Sequence, residues 1–152
     1  MVTKIRRIVR VAGAFSVAMG VGLALASPAA ASAYPVAKCG DIQGYGACMV
    51  LYYNSGMKGS SVSYAGGQVN DFAGDKFLTS GAGKGTAVKN NAASAKFLST
   101  QGDWGIIYYN SNGEGPCDSF AANHSTSKLK NTYNENASYY PSSWKPSGCY
   151  AF

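Results

Sequence analysis

Ala47-Cys48-Met49-Val50-Leu51-Tyr52-Tyr53-Asn54-Ser55-Gly56-Met57-Lys58-Gly59 has a counterpart 56 residues later, Asp103-Trp104-Gly105-Ile106-Ile107-Tyr108-Tyr109-Asn110-Ser111-Asn112-Gly113-Glu114-Gly115. Each copy is an apolar run rich in β-branched and aromatic residues that ends in Tyr-Tyr-Asn-Ser. A glycine-containing turn follows, and then a second glycine. Such a run reads as a strand and the Asn/Ser/Gly cluster as a hairpin. The spacing from Tyr52 to Gly59 equals that from Tyr108 to Gly115.

A second element repeats as well. Asn90-Asn91-Ala92-Ala93-Ser94 corresponds to Asn134-Glu135-Asn136-Ala137-Ser138, with an offset of 44 instead of 56. The first copy therefore carries about twelve additional residues, and the glycine-rich stretch from Gly74 to Gly85 reads as a long surface loop holding them. Ser61-Val62-Ser63-Tyr64 and Lys96-Phe97-Leu98 supply further short strands. No segment sustains a helical period, so the chain reads as all-β. Repeat 1 spans about residues 47–99 and repeat 2 about 103–144. Units of this size suggest two Greek keys packed face to face, because neither buries its sheet alone.

The chain opens differently. Lys4, Arg6, Arg7 and Arg10 precede an apolar run from Val11 to Ala26, Ser27-Pro28 breaks it, and Ala31-Ser32-Ala33 offers small-x-small cleavage chemistry. The pattern predicts a secretory signal peptide over residues 1–33 and one domain over 34–152. The run is short and rich in Gly and Ala for a membrane span, so no membrane association is expected after cleavage. Localisation is expected to be extracellular, and the domain to be a monomer.

Export changes the charge argument. Four of the chain's 13 Lys and Arg residues stand in the leader, so its net +6 falls to about +2 beyond it. The remaining lysines are scattered, which argues against a nucleic-acid partner, whose phosphates need clustered cations. All four cysteines, Cys39, Cys48, Cys117 and Cys149, follow the leader. An even count in an exported chain argues for two disulfides with three possible connectivities. We favour Cys39–Cys48, closed over a flexible glycine-rich segment, and Cys117–Cys149. On the loop-entropy account the two would stabilise by roughly 3 and 4 kcal/mol.

Tyr52, Met57 and Gly59 form an aromatic, four residues, a bulky side chain, one residue and a glycine, which resembles the βγ-crystallin signature. The second copy departs from it, with Gly113 at the bulky position. The Asn-Asn-x-x-Ser element resembles the second half of the same motif, in which the serine folds over the hairpin. A two-key domain of this kind behind a leader, with disulfides, is similar to secreted peptidase inhibitors of the actinomycete metalloproteinase-inhibitor type. The likeness covers most of residues 39–140.

That resemblance implies a βγ-crystallin-like two-Greek-key β-sandwich that inhibits an extracellular protease of the thermolysin-like zinc class through a rigid, disulfide-anchored loop. The matching position of the family's loop cysteine is Cys117, so Gly115, Pro116, Cys117 and Asp118 are the inhibitory-loop candidates. Two departures stand out. The family's second loop cysteine is missing, leaving Cys149 as partner, and the acidic Asp118 follows Cys117 where apolar residues suit such clefts. The bland alternative is an ordinary turn stapled for stability.

The rival reading is a calcium-binding or structural crystallin-like module. Crystallin calcium sites use N/D-N/D-x-x-S/T-S, whose oxygens suit a hard cation. The weak calcium candidates are Asn90, Asn91, Ser94, Asn134, Glu135 and Ser138, of which only Glu135 brings a charge. No other cofactor is expected. Nor is an enzyme: His124 is the single histidine, Asp118, Ser119 and His124 match a triad in composition only, and no nucleophile-elbow motif surrounds the serine.

Overall fold

A computed structural model describes residues 32–152. All but Ser32 and Ala33 of the expected leader lie outside the described residues. The strands are β1 (Pro35–Val36), β2 (Ala47–Asn54), β3 (Lys58–Ala65), β4 (Ser94–Ser99), β5 (Trp104–Asn110), β6 (Glu114–Phe120), β7 (Ser125–Thr126), β8 (Ser138–Ser142) and β9 (Tyr150–Ala151). They form a five-stranded sheet, β1-β3-β2-β4-β7, and a four-stranded sheet, β8-β5-β6-β9. All pairings are antiparallel except β6 with β9.

The two copies of the strand–turn–glycine pattern are the β2–β3 and β5–β6 hairpins, one at the heart of each sheet. Between the sheets pack Met49, Leu51, Val62, Tyr64, Phe97, Ile107, Phe120 and Tyr139, all fully buried. Strand β2 is apolar on both faces for a reason. Its other face carries Cys48 and Val50 beneath the N-terminal segment, where Cys39, Ile42 and Tyr45 join them. A strand covered on both sides loses the in-out alternation and reads as a continuous apolar run.

The keys are interlocked. Strand β7, from the second repeat, pairs with β4 of the first through Ala95↔Thr126 and Lys96↔Ser125. In return Val69, from the first repeat, exchanges two backbone hydrogen bonds with Tyr139 on β8, at 2.8 and 3.0 Å. The second key thus lends a strand to the first sheet, and the first key answers with a single bridge to the edge of the second. The four cysteines pair as Cys39–Cys48, which fastens the N-terminal segment to β2, and Cys117–Cys149, which fastens β9 beside β6. Among the described residues no helix is long and apolar enough to cross a membrane.

The extra residues of the first repeat form the expected surface loop, with one anchor in the core. The excursion is closed at its neck by bonds from Phe77 N–H to Thr86 O and from Gly85 N–H to Phe77 O. Phe77 enters the core and meets the Tyr53 ring edge-on at 5.6 Å. The tip folds back onto the first hairpin, where Ser60 N–H donates to Ala82 O at 2.8 Å. Gly83 lies so flat on Tyr53 that an added Cβ would be 2.2 Å from the ring. Gly74 to Gly85 is thus a cover for the first hairpin, with glycines where it touches and one phenylalanine as its anchor.

Candidate functional site

The hairpins are built alike down to single atoms. Ser94 Oγ donates to Asn54 O at 2.6 Å and accepts the Met57 N–H at 2.9 Å. Ser138 Oγ donates to Asn110 O at 2.7 Å and accepts the Gly113 N–H at 3.1 Å. Both serines are fully buried and fold the hairpin over. The signature glycines, Gly59 and Gly115, hold φ of +76° and +80°. A Cβ on either would lie 2.9 Å from a neighbour, the Ala82 carbonyl or the Asn110 amide nitrogen. The departure at Gly113 is also accounted for. Met57 takes a left-handed φ of 57°, which strains a side chain, and Gly113 occupies the same conformation at 74° without that cost.

The candidate inhibitory segment is placed differently from expectation. Gly115, Pro116, Cys117 and Asp118 belong to strand β6, in register with β5 through Tyr108↔Cys117 and Ile107↔Asp118. Glu114, Gly115 and Pro116 are exposed, whereas Cys117 and Asp118 are buried. The outer edge of β6 is covered only from Asp118 onward, by the two residues of β9. Proline at the uncovered part lacks an N–H, which suits an exposed edge.

Both ends of this exposed tripeptide are fastened. Before it, Asn112 N–H donates to Asn70 O at 2.7 Å and Lys89 Nζ donates to Ser111 Oγ at 3.0 Å. Lys89 is itself paired with Asp71 at 2.8 Å and holds that carboxyl below its ordinary pKa, chiefly by this hydrogen bond. Tyr140 stands under the turn and donates to Asn70 Oδ1 at 2.6 Å. After the tripeptide come the Cys117–Cys149 bridge and a bond from Asn131 Nδ2 to Cys117 O at 2.9 Å.

Asp118 corrects the expectation that it would face a protease. Its side chain is fully buried and accepts from the backbone N–H groups of Lys130, Asn131 and Thr132 at 3.0–3.1 Å, and from Thr132 Oγ1 at 2.8 Å. It organises the segment 130–132 and leaves no atom for an outside partner.

The calcium candidates fall in two groups. Ser94 and Ser138 spend donor and acceptor on their hairpins, as above. Asn90 and Asn134 both take positive φ, 62° and 55°, and cross-link the repeats: Asn90 N–H donates to Asn136 O and Asn134 N–H to Ala92 O. Asn91 Nδ2 donates to Lys89 O, and Glu135 is exposed. Asn91 and Asn134 share a polar crevice of about 150 Å³ with Tyr53, Asn54, Ser55 and Tyr133. Every side chain there is neutral, and no group of three or more His, Cys, Asp or Glu is assembled among the described residues. The triad by composition is not assembled either. Ser119 Oγ donates to Tyr150 O, Asp118 is committed to residues 130–132, and His124 is exposed with its Nδ1 on Ala122 O. Buried Tyr64, which donates to Asp75 at 2.8 Å, has its pKa raised far above the ordinary value, mainly by desolvation.

Asn70, Lys89 and Asn131 belong to no sequence motif. They act across 14 to 70 positions of chain, which local patterns do not report.

One solved structure from work on the evolution of the eye lens βγ-crystallin domain fold is similar to this chain, with a TM-score of 0.52 and 14% identity. It is matched over 75% of this chain and 100% of its own. The N-terminal domain of protein S matches 65% of this chain and 99% of its own at a TM-score of 0.46 and 18% identity. No family model matches the chain, and no curated protein does. The fold is βγ-crystallin-like.

Proposed function

We propose that this protein is a secreted peptidase inhibitor, acting on an extracellular protease of the zinc-dependent, thermolysin-like class. The observation that carries the reading is the exposed tripeptide Glu114-Gly115-Pro116 at the uncovered start of β6, with fasteners on both sides. A segment already held in one conformation binds a peptidase cleft without the entropy loss of ordering a free peptide. Cys117 and Cys149 both follow the exposed stretch, so their bridge anchors its C-terminal side to the tail of the chain.

The burial of Asp118 supports this reading too. Its acidic side chain would be out of place in an apolar subsite, and it lies inside the domain instead. The residues offered to a cleft are Glu114, Gly115 and Pro116, with Cys117 as the staple. Two disulfides agree with an oxidising, extracellular setting. No catalytic role is assigned to any residue.

The test is a panel of metallo-, serine and cysteine peptidases titrated with the purified protein. We expect tight inhibition of a zinc peptidase, weakened in a Cys117→Ser, Cys149→Ser double variant. Silence across the whole panel would sink the proposal. The calcium-binding alternative rests on the neutral crevice around Asn91 and Asn134. With no carboxylate lining it, affinity there would be weak, and absence of heat and of any thermal shift on calcium titration disposes of it.

A further inference from the structure

A second surface carries its own chemistry. Beside the Cys117–Cys149 bridge runs an open groove of about 420 Å³ between strand β9 and residues 128–133, lined by Lys128, Leu129, Lys130, Tyr133, Tyr150 and Phe152. Its volume is within the usual range for a ligand site. We infer that this groove binds an acidic oligosaccharide, a short chain of sugar rings bearing carboxylates.

Lys128 and Lys130 flank the buried Leu129 and are both exposed, and no aspartate or glutamate lines the groove. The single ion pair among the described residues is Lys89–Asp71, so neither ammonium has a carboxylate partner. Lys128 rests instead over the Tyr133 ring, its Nζ 5.0 Å from the centroid. The main-chain oxygen of Phe152 is taken up by the Ala121 N–H. An anion entering the groove would meet two cations and no acidic side chain.

Tyr133 is 36% exposed and Tyr150 47%, and both line the groove. Tyr150 meets Phe152 at 5.0 Å, and Phe152 stacks on the buried Phe120 at 5.0 Å, so the aromatic wall is backed by the core. The opposite wall is set by Asp118, which holds residues 130–132, and by Leu129 N–H on Ala93 O. Rings presented on rigid walls offer apolar platforms with polar edges, suited to the C–H face of a sugar. Nearby ammonium groups suit its carboxylate. A peptide would rely on adding a strand, and β9 has only two residues to pair with.

The experiment is a calorimetric and NMR titration of the full protein with an oligogalacturonate of four sugars, beside an uncharged oligosaccharide of equal length and a short polyglutamate. We expect saturable binding of the oligogalacturonate alone, weakening as salt rises. Lys130→Ala and Tyr150→Ala, each checked for folding by near-ultraviolet circular dichroism, should each weaken it about tenfold or more, near 1.4 kcal/mol. Glu114–Pro116 lies outside the groove, so both variants should leave peptidase inhibition as it is. Absence of binding, equal binding of the neutral sugar, equal binding of polyglutamate, or unchanged affinity in both variants would each overturn the inference.

Discussion

Replacing Asp118 by alanine is the sharpest perturbation of this fold. One carboxylate receives three backbone N–H groups and one hydroxyl, and Thr132, which contributes two of the four donors, is fully buried. Hydrogen bonds to a charged group contribute about 1.5–3 kcal/mol each, and buried donors left without a partner bear their full desolvation cost. The four donors share one acceptor and do not add, and water can reach those on the half-exposed side. We expect a loss of about 3–5 kcal/mol, at the upper end for a single substitution. For a domain of this size that corresponds to a fall in Tm of roughly 10–20 °C. Asp118→Asn keeps one accepting oxygen but turns an NH2 toward the remaining donors, so it should lose a smaller, still large, amount. Urea denaturation followed by tryptophan fluorescence gives the difference, with an unchanged m-value showing that the same surface unfolds. Hydrogen exchange should find the amides of residues 130–132 deprotected in the alanine variant before the rest. A loss below about 1 kcal/mol, the scale of one ordinary hydrogen bond, would refute the role given to Asp118.

Ser94→Ala and Ser138→Ala remove equivalent hydroxyls, each orphaning a backbone N–H and a carbonyl. Each should cost about 1–3 kcal/mol in denaturant unfolding, by similar amounts if the two hairpins are as alike in energy as in geometry. Gly83→Val should push the covering loop off Tyr53, detected as faster hydrogen exchange at residues 77–86 with the second key unaffected. Asp75 has its pKa raised, first by burial, with the Tyr64 hydroxyl opposing that rise. A carboxyl whose folded pKa is raised favours folding while protonated and loses that contribution as pH climbs through the raised value. Asp75→Asn should therefore gain relative to the natural protein at neutral pH, by less than ~1 kcal/mol after solvent screening at this half-exposed site. The gain should vanish near about pH 3, where both are uncharged. Urea curves at the two pH values check the sign.

The hairpins, the pairing of the repeats and the all-β class were legible because they depend on local patterns: Tyr-Tyr-Asn-Ser, the signature glycines and the serine five residues into each Asn/Ser element. The glycine-rich stretch in the first repeat reads as a loop, and most of it is one, but Phe77 is the residue that gives it a place in the core. Glu114-Gly115-Pro116-Cys117-Asp118 also reads as a loop, since glycine and proline are rare in strands. It is a strand because β5 sets its register from the other side. The role of Asp118 was illegible for a plainer reason. Its donors lie twelve to fourteen residues away, and an acid beside a cysteine looks the same in sequence whether it faces water or the interior. The cross-pairing of the keys likewise depends on β7 and Val69, two residues and one, too short to show a period.

The claim that Glu114–Pro116 is the contact held ready by its two fasteners is met most directly by one inhibition titration. A thermolysin-like zinc peptidase is titrated with the natural protein and with a Glu114→Lys, Pro116→Glu variant, whose changes sit on exposed residues and leave the signature glycine Gly115 in place. The account predicts that the natural protein abolishes activity near one equivalent, and that the variant, folded by circular dichroism, loses inhibition by about a hundredfold or more, near 2.7 kcal/mol. Equal inhibition by both proteins would contradict it, because the contact would then lie elsewhere.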